Sequence, residues 1–159
     1  MSTSENYLQV LSESLDKKII ILKELERLTA EQKTIVDAND FDEEAFNTNV
    51  NKKASLIEEI EKLDKGFQIL YNNIKSQIEG NREQYKSQIV ELQGKIKIIL
   101  DYSSSLQVAE KRNNTLIRNR FNDMRKEVHQ VKKNREAASN YYKNMNNLSS
   151  QSYFMDQKK

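Results

Sequence analysis

The chain contains no cysteine, no proline and no tryptophan, and only three of its 159 residues are glycine. The absence of cysteine excludes a disulfide framework and thiolate metal sites, which favours a reducing, cytoplasmic location. With so little proline and glycine, almost nothing in the chain interrupts a helix. The longest apolar run, residues 19–22, is far too short to span a bilayer. We therefore expect an all-α protein without membrane insertion.

Catalytic and metal-binding chemistry also lack their usual side chains. Nucleophilic catalysis needs a nucleophile beside a base, yet the chain has no cysteine and a single histidine, His129. The acidic residues are spread at helical spacing between lysines and arginines, as on a solvated helix face. The sequence therefore predicts no enzymatic activity, no catalytic residue, no metal site and no cofactor.

Apolar residues recur at helical spacing over three stretches of the chain. They predict helices over about residues 5–38, 42–79 and 82–146, followed by a flexible tail at residues 147–159. Seven-residue steps such as Tyr85, Leu92, Ile99 and Leu106 are typical of helices that pack along a long seam. We expect one domain, residues 1–146, folded as an elongated antiparallel bundle of three long helices.

Two short segments separate the predicted helices. Residues 37–42 collect helix-capping side chains, and Asp40 followed three positions later by Glu43 has the form of a capping box. Gly80 and Asn81 form the second break. The seven-residue row through Ile78 and Tyr85 crosses this break, so the sequence leaves open a continuous rod and a segment-swapped homodimer.

The third predicted helix is much longer than the other two. At about 1.5 Å per residue, helices one and two would cover only its first half. An uncovered apolar face should serve as a binding surface, an oligomer seam or a segment that orders with its partner. The predicted uncovered residues are Leu116, Ile117, Phe121, Met124, Val128, Val131, Ala138 and Tyr142. A second hypothesis is a structural coiled-coil protein that self-associates through the third helix.

Charge is distributed unevenly along the chain. Residues 1–110 hold 14 basic and 20 acidic residues, whereas residues 111–159 hold 12 basic and 4 acidic residues. The basic region could attract nucleic-acid phosphates, but it keeps an apolar stripe and matches no named nucleic-acid module. Basic residues beside such a stripe are equally suited to an acidic protein partner. We do not expect nucleic-acid binding.

The order of these segments resembles the FlgN family of flagellar export chaperones. The resemblance depends on a first helix rich in Leu and Glu, a turn, the run from Lys52 to Asp64, the run from Glu110 to Asn114, and the late pair Tyr141 and Tyr142. It covers nearly the whole chain, and FliT-type chaperones share the same helical design. The resemblance implies a cytosolic helical bundle without enzymatic activity.

The resemblance also implies partners. Family members hold the C-terminal helical segments of the hook-filament junction proteins, FlgK and FlgL, and deliver them to the flagellar type III export gate. Carried onto this chain, the client-binding residues are six members of the predicted uncovered face: Leu116, Ile117, Phe121, Met124, Val128 and Val131. The resemblance implies docking on the cytoplasmic domain of the export gate through Tyr141 or Tyr142.

Overall fold

The computed structural model describes residues 3–131, and side chains as far as residue 127. It contains three helices, α1 (Thr3–Asp37), α2 (Glu43–Gly80) and α3 (Lys86–Val131), and the described residues form no strand. The all-α prediction is confirmed. Helices α1 and α2 begin and end within two residues of the predicted bounds, whereas α3 begins four residues later than predicted. The predicted continuation of α3 to residue 146 and the predicted tail lie outside the described residues.

The turn between α1 and α2 is closed by local interactions at the start of α2. The carboxylate of Asp42 accepts a hydrogen bond of 3.0 Å from the backbone N–H of Ala45, as an N-cap residue does. Phe41, which precedes the cap, packs against Phe46 in the first turn of α2, with ring centroids 5.4 Å apart. This pair is a hydrophobic staple. The predicted capping role of Asp40 is wrong, because Asp42 is adjacent to the first helical residue.

Asp42→Ala is expected to lower the free energy of unfolding by about 1 kcal/mol, because the backbone N–H of Ala45 in the first turn of α2 loses its acceptor. Asp40→Ala is the matched control, since Asp40 is exposed in the same turn. That control should change the free energy by less than about 0.5 kcal/mol. Urea denaturation of both variants measures the difference, and equal losses would mean that Asp42 has no special capping role.

The helices cluster into two compact units, each with a segment of all three helices. Within the described residues, unit 1 comprises residues 3–25 and 55–104, and unit 2 comprises residues 26–54 and 105–131. In unit 1 the contacts pair early α1 residues with late α2 residues, and in unit 2 they pair late α1 residues with early α2 residues, so α1 and α2 are antiparallel. Contacts between α1 and α3 join early residues of both helices in unit 1 and later residues of both in unit 2, so α3 runs parallel to α1.

Unit 1 has an apolar core at the end where α1 begins and α2 ends. Its buried members come from α1, α2 and the turn before α3: Leu8, Leu11, Ile74, Ile78 and Tyr85. Half-buried residues pack around them, including Phe67, Leu70, Ile89 and Leu92. Burying each large side chain contributes about 1.5–3 kcal/mol, so this cluster holds the three helix segments of unit 1 together.

Unit 2 has a second core beside the α1–α2 turn. Val36 of α1, Phe46 and Val50 of α2, and Ile117 and Phe121 of α3 are all buried there. The Phe121 ring lies 5.8 Å from those of Phe41 and Phe46, at angles typical of edge-to-face packing.

Arg120 of α3 binds the α1–α2 turn at the edge of the unit 2 core. Its guanidinium donates hydrogen bonds of 2.9 and 3.0 Å to the backbone carbonyls of Ala38 and Asn39. It also lies over the Phe41 ring, 5.6 Å from the centroid. The two carbonyls follow the C-terminal end of α1, where a positive charge is favourable. Residue 120 of α3 is therefore level with the α1–α2 turn.

Candidate functional site

The predicted client face is mostly internal. Ile117 and Phe121 are only 3% and 2% exposed, and both belong to the core of unit 2. Leu116 and Met124 are half-buried and pack against the same cluster. The expectation that these four residues form an uncovered face is therefore wrong.

Helix alignment explains the error. The prediction assumed that α1 and α2 cover only the first half of the third helix. The length of α1, 35 residues, is close to the predicted one. Arg120 contacts the backbone just after α1, and Phe121 shares a core with Val36, so the end of α1 lies beside this part of α3. Only the part of α3 after Met124 continues past the residues of the unit 2 core.

The structure describes the remaining predicted site residues only in part or not at all. Val128 and Val131 belong to the backbone of α3, but their side chains lie outside the described part of the chain. Tyr141 and Tyr142, the predicted export-gate residues, lie outside the described residues altogether. Their roles stay predictions.

The most unusual feature of unit 2 is a buried ion pair between α2 and α3. The ammonium of Lys53 contacts the carboxylate of Glu110, and the two side chains are only 6% and 7% exposed. Charged side chains are rarely so buried, because removing them from water has a large free-energy cost unless each finds a partner. The pair therefore depends on precise alignment of α2 with α3.

Helix α1 completes this buried network with polar groups. The Thr29 hydroxyl donates to Glu110 at 3.2 Å, and Lys53 donates to the Gln32 side-chain oxygen at 3.4 Å. The amide of Asn113 donates to the Thr29 carbonyl at 2.8 Å and to Gln32 at 3.0 Å. Thus α1, α2 and α3 each contribute buried polar groups, and we call these five residues the polar network of unit 2.

The polar network fixes which residues of the three helices meet. A purely apolar seam tolerates a shift along the helix axis, because one apolar side chain can replace another. A shift of the polar network would leave a buried charge or amide unpaired, which is strongly unfavourable. Since Lys53 and Glu110 are buried and bonded to each other, the network is suited to specifying helix alignment and not to catalysis.

The burial of Lys53 and Glu110 was not predicted, although the sequence contains a signal for it. Lys53 lies midway between Phe46 and Ile60 in a seven-residue row, and Glu110 occupies the position seven residues before Ile117. A charged residue within an apolar row of a long helix is a signal for a buried partner on another helix.

Unit 1 has an open apolar groove between α1 and α2. It has a volume of about 450 Å³ and is lined by Lys17, Ile20, Ile21, Glu59, Lys62 and Leu63. Ile20 is 66% exposed, whereas Ile21 is buried. The groove was not predicted from the sequence, because Ile20 belongs to a short run of isoleucines that contains both buried and exposed residues.

A partly exposed ionic cluster joins α1 and α3 in unit 1. Lys95 lies 2.9 Å from Asp16 and 3.2 Å from Glu91, and Ser12 donates to Glu91 at 3.0 Å. Burial opposes protonation of Lys95, but hydrogen bonds and charge attraction from Asp16 and Glu91 outweigh it and raise the pKa of Lys95 above 10.5. The hydrogen bond from Lys95, then that from Ser12, lowers the pKa of Glu91 below 4.5.

These pKa shifts predict how the cluster responds to pH. Because folding lowers the pKa of Glu91, its carboxylate stabilises the fold at pH values above 4.5, the ordinary pKa that it has in the unfolded chain. This contribution is lost as the pH falls through the lowered pKa of the folded chain. Lys95 contributes its full stabilisation below pH 10.5, and this contribution is lost as the pH rises through the raised pKa of the folded chain. Lys95→Met should therefore lower the Tm at neutral pH, and the loss should shrink below about pH 4.

Lys97→Met is the control for this prediction, because Lys97 is exposed on the same helix. Thermal melts of both variants, followed by circular dichroism at neutral and acidic pH, make the comparison. A Tm difference between Lys95→Met and wild type that does not change with acidification would contradict the assigned role of Glu91.

The described residues contain neither a cluster that could bind a metal ion nor a helix that could cross a membrane. No group of three or more His, Cys, Asp or Glu side chains there could hold a metal ion. None of the three helices, over its described residues, has a stretch long and apolar enough to cross a membrane. Comparison of the chain with protein-family models, with curated proteins and with solved structures finds no match.

Proposed function

We propose that this chain is a cytosolic export chaperone of the FlgN type, without enzymatic activity. In this proposal it binds the C-terminal helices of hook-filament junction proteins of the FlgK and FlgL type and delivers them to the export gate. The resemblance in segment order supports the choice of family. A bundle of three helices whose third helix continues past its own core supports the mode of binding.

The observation that carries the proposal is the continuation of α3 beyond the unit 2 core. Arg120 contacts the α1–α2 turn, yet α3 continues for ten residues after Phe121, to Val131. A short helical extension gains little stability from its own hydrogen bonds in water, so packing against a partner would stabilise it. We call residues 122–131 the α3 extension.

The α3 extension has the sequence pattern of a helix that packs on another helix. Met124, Val128 and Val131 follow one another at spacings of four and three residues, which places them on one side of a helix. Arg125 and Lys126 flank this side in the sequence. An amphipathic client helix with acidic residues beside its apolar stripe would complement both features.

The proposal thereby narrows the predicted client-binding set. Ile117 and Phe121 are core residues of unit 2, so we assign client contact to Val128 and Val131, with Leu116 and Met124, which are half-buried against that core, at the margin. Docking on the cytoplasmic domain of the export gate remains assigned to Tyr141 or Tyr142, following the resemblance.

The test is a calorimetric titration of the purified chain with the C-terminal helical segments of FlgK-type and FlgL-type proteins. The double variant Val128→Asp, Val131→Asp should weaken binding by a factor of about 100 or more, since two apolar anchors become charged. Val108→Asp is the control, because Val108 is 70% exposed on α3 before the extension.

Binding that is weakened equally by Val108→Asp and by the double variant would contradict the assignment to the α3 extension. If neither client segment binds the wild-type chain at micromolar concentration, the FlgN-type function itself is wrong. The unfolding curve of Val108→Asp should be nearly superimposable with that of wild type, because Val108 is 70% exposed. The double variant should unfold like wild type as well, since the proposal assigns both valines to the client.

A further inference from the structure

The turn between α2 and α3, residues 81–85, keeps two hydrogen bonds of helical spacing. The N–H of Tyr85 donates to the Asn81 carbonyl at 3.3 Å, and the N–H of Ile89 donates to the Tyr85 carbonyl at 2.9 Å. Both bonds join residues four apart, as in an α-helix. The turn is therefore short and partly helical in its bonding.

The break at Asn81 depends on local polar interactions. The Asn81 N–H donates to the Ile78 carbonyl at 3.1 Å, a bond between residues three apart. The Asn81 side-chain amide donates to the Gln77 carbonyl at 3.0 Å, which satisfies a carbonyl at the end of α2. Such side-chain bonds to backbone compete with continuation of a helix.

Gly80 does not hold the turn in a conformation that only glycine adopts. Its backbone is not left-handed, and a Cβ atom added to it would meet no atom within 4 Å. A residue with a side chain would fit there and would favour a helix more than glycine does. Gly80 thus permits the turn without being required by its geometry.

The apolar row of the sequence crosses the turn without interruption. Ile78 and Tyr85 are seven residues apart and both are buried in the core of unit 1. Tyr71 and Leu92 continue the same step on either side and are half-buried. This row would suit a continuous helix as well as the observed turn.

We propose that residues 80–85 act as a hinge through which α3 is exchanged with a second copy of this chain. In the exchanged dimer α2 and α3 form one rod, and α3 packs on α1 and α2 of the partner copy. Every contact that α3 makes with α1 and α2 in the structure is then remade between copies, including the ion pair of Lys53 with Glu110. The interaction surface is the side of α1 and α2 that α3 covers.

The buried ion pair provides a direct test of exchange. One chain carries Lys53→Glu and the other carries Glu110→Lys, so each chain alone places like charges at a buried site. Exchange between the two chains pairs opposite charges at both sites. The two variants are unfolded together, refolded as an equimolar mixture, and analysed by size-exclusion chromatography with light scattering.

We expect each variant alone to be poorly folded and the mixture to form a helical heterodimer with one copy of each chain. A mixture that stays as poorly folded as the separate variants would overturn the proposal. The same mixture is also made from chains that carry Glu83→Pro, because proline within the rod prevents a continuous helix. A heterodimer that still forms from these chains would overturn the proposed exchange through a continuous rod.

Hinge variants of the otherwise wild-type chain give a second measurement. Asn81→Ala should raise the dimerisation constant about tenfold, since residue 81 becomes helical at both hinges of the dimer and alanine is the better helix former. Loss of the Asn81 side-chain bond to the Gln77 carbonyl also destabilises the turn. Gly80→Ala is the control and should change the constant little, because Gly80 already belongs to α2. If Asn81→Ala has the dimerisation constant of wild type in dilution series, the hinge does not control association.

Discussion

Replacing Lys53 with methionine is expected to lower the free energy of unfolding by about 3–5 kcal/mol, because it leaves the buried carboxylate of Glu110 without its cation. Both side chains are nearly inaccessible to water, so solvent cannot replace the lost partner. Thr29 would remain the one neutral donor that the described hydrogen bonds give to this carboxylate. Urea denaturation followed by circular dichroism measures the loss.

The double variant Lys53→Met, Glu110→Leu separates the cost of an unpaired charge from the value of the pair. Replacing both partners with apolar residues of similar size should restore most of the stability, or exceed that of wild type. If the double variant is as unstable as Lys53→Met, the pair contributes net stability, and the interpretation as an alignment device is weakened.

Lys33→Met is the matched control for Lys53→Met. Lys33 also pairs with a carboxylate, Asp37, at 3.0 Å, but both side chains are more than 40% exposed. An exposed pair of residues four apart on a helix contributes about 0.3–0.5 kcal/mol. The contrast between the two lysines therefore isolates the effect of burial.

Phe121→Ala is the second substitution with a large expected effect. It should lower the free energy of unfolding by about 3–5 kcal/mol, since Phe121 is 2% exposed and its ring contacts Phe41 and Phe46. The loss combines reduced apolar burial with a cavity at the α1–α2 turn. Phe121→Leu should cost less, because leucine fills part of that volume.

Val108→Ala serves as the control for Phe121→Ala. Val108 is also on α3 in unit 2, but it is 70% exposed, so truncation should change the free energy by less than about 0.5 kcal/mol. Equal and small effects at both positions are the result that an uncovered client face would give. That outcome would show that Phe121 is not a core residue.

The helical framework could be predicted from the sequence because it depends on local patterns. The absence of proline, the seven-residue steps and the polar segment before Phe41 located α1 and α2 to within two residues. Gly80 and Asn81 marked the end of α2 for the same reason. Cap identity was harder, since Asp40 and Asp42 both have the required chemistry and only the first helical residue decides between them.

The candidate site could not be predicted because it depends on which residues of different helices meet. Spacing alone showed that Ile117 and Phe121 share a face, but a core face and a client face have the same pattern. Burial of Lys53 with Glu110 likewise depends on the alignment of α2 with α3. The length estimate failed for a similar reason, because it compared helices without knowing their alignment.

The most direct test of the account is amide hydrogen exchange of the free chain and of the chain bound to a FlgK-type client segment. We predict slow exchange over residues 105–121 of the free chain, since Ile117 and Phe121 lie in the core of unit 2. Client binding should add protection mainly after Met124. Fast exchange over residues 111–121 in the free chain, slowed only by the client, would contradict the account.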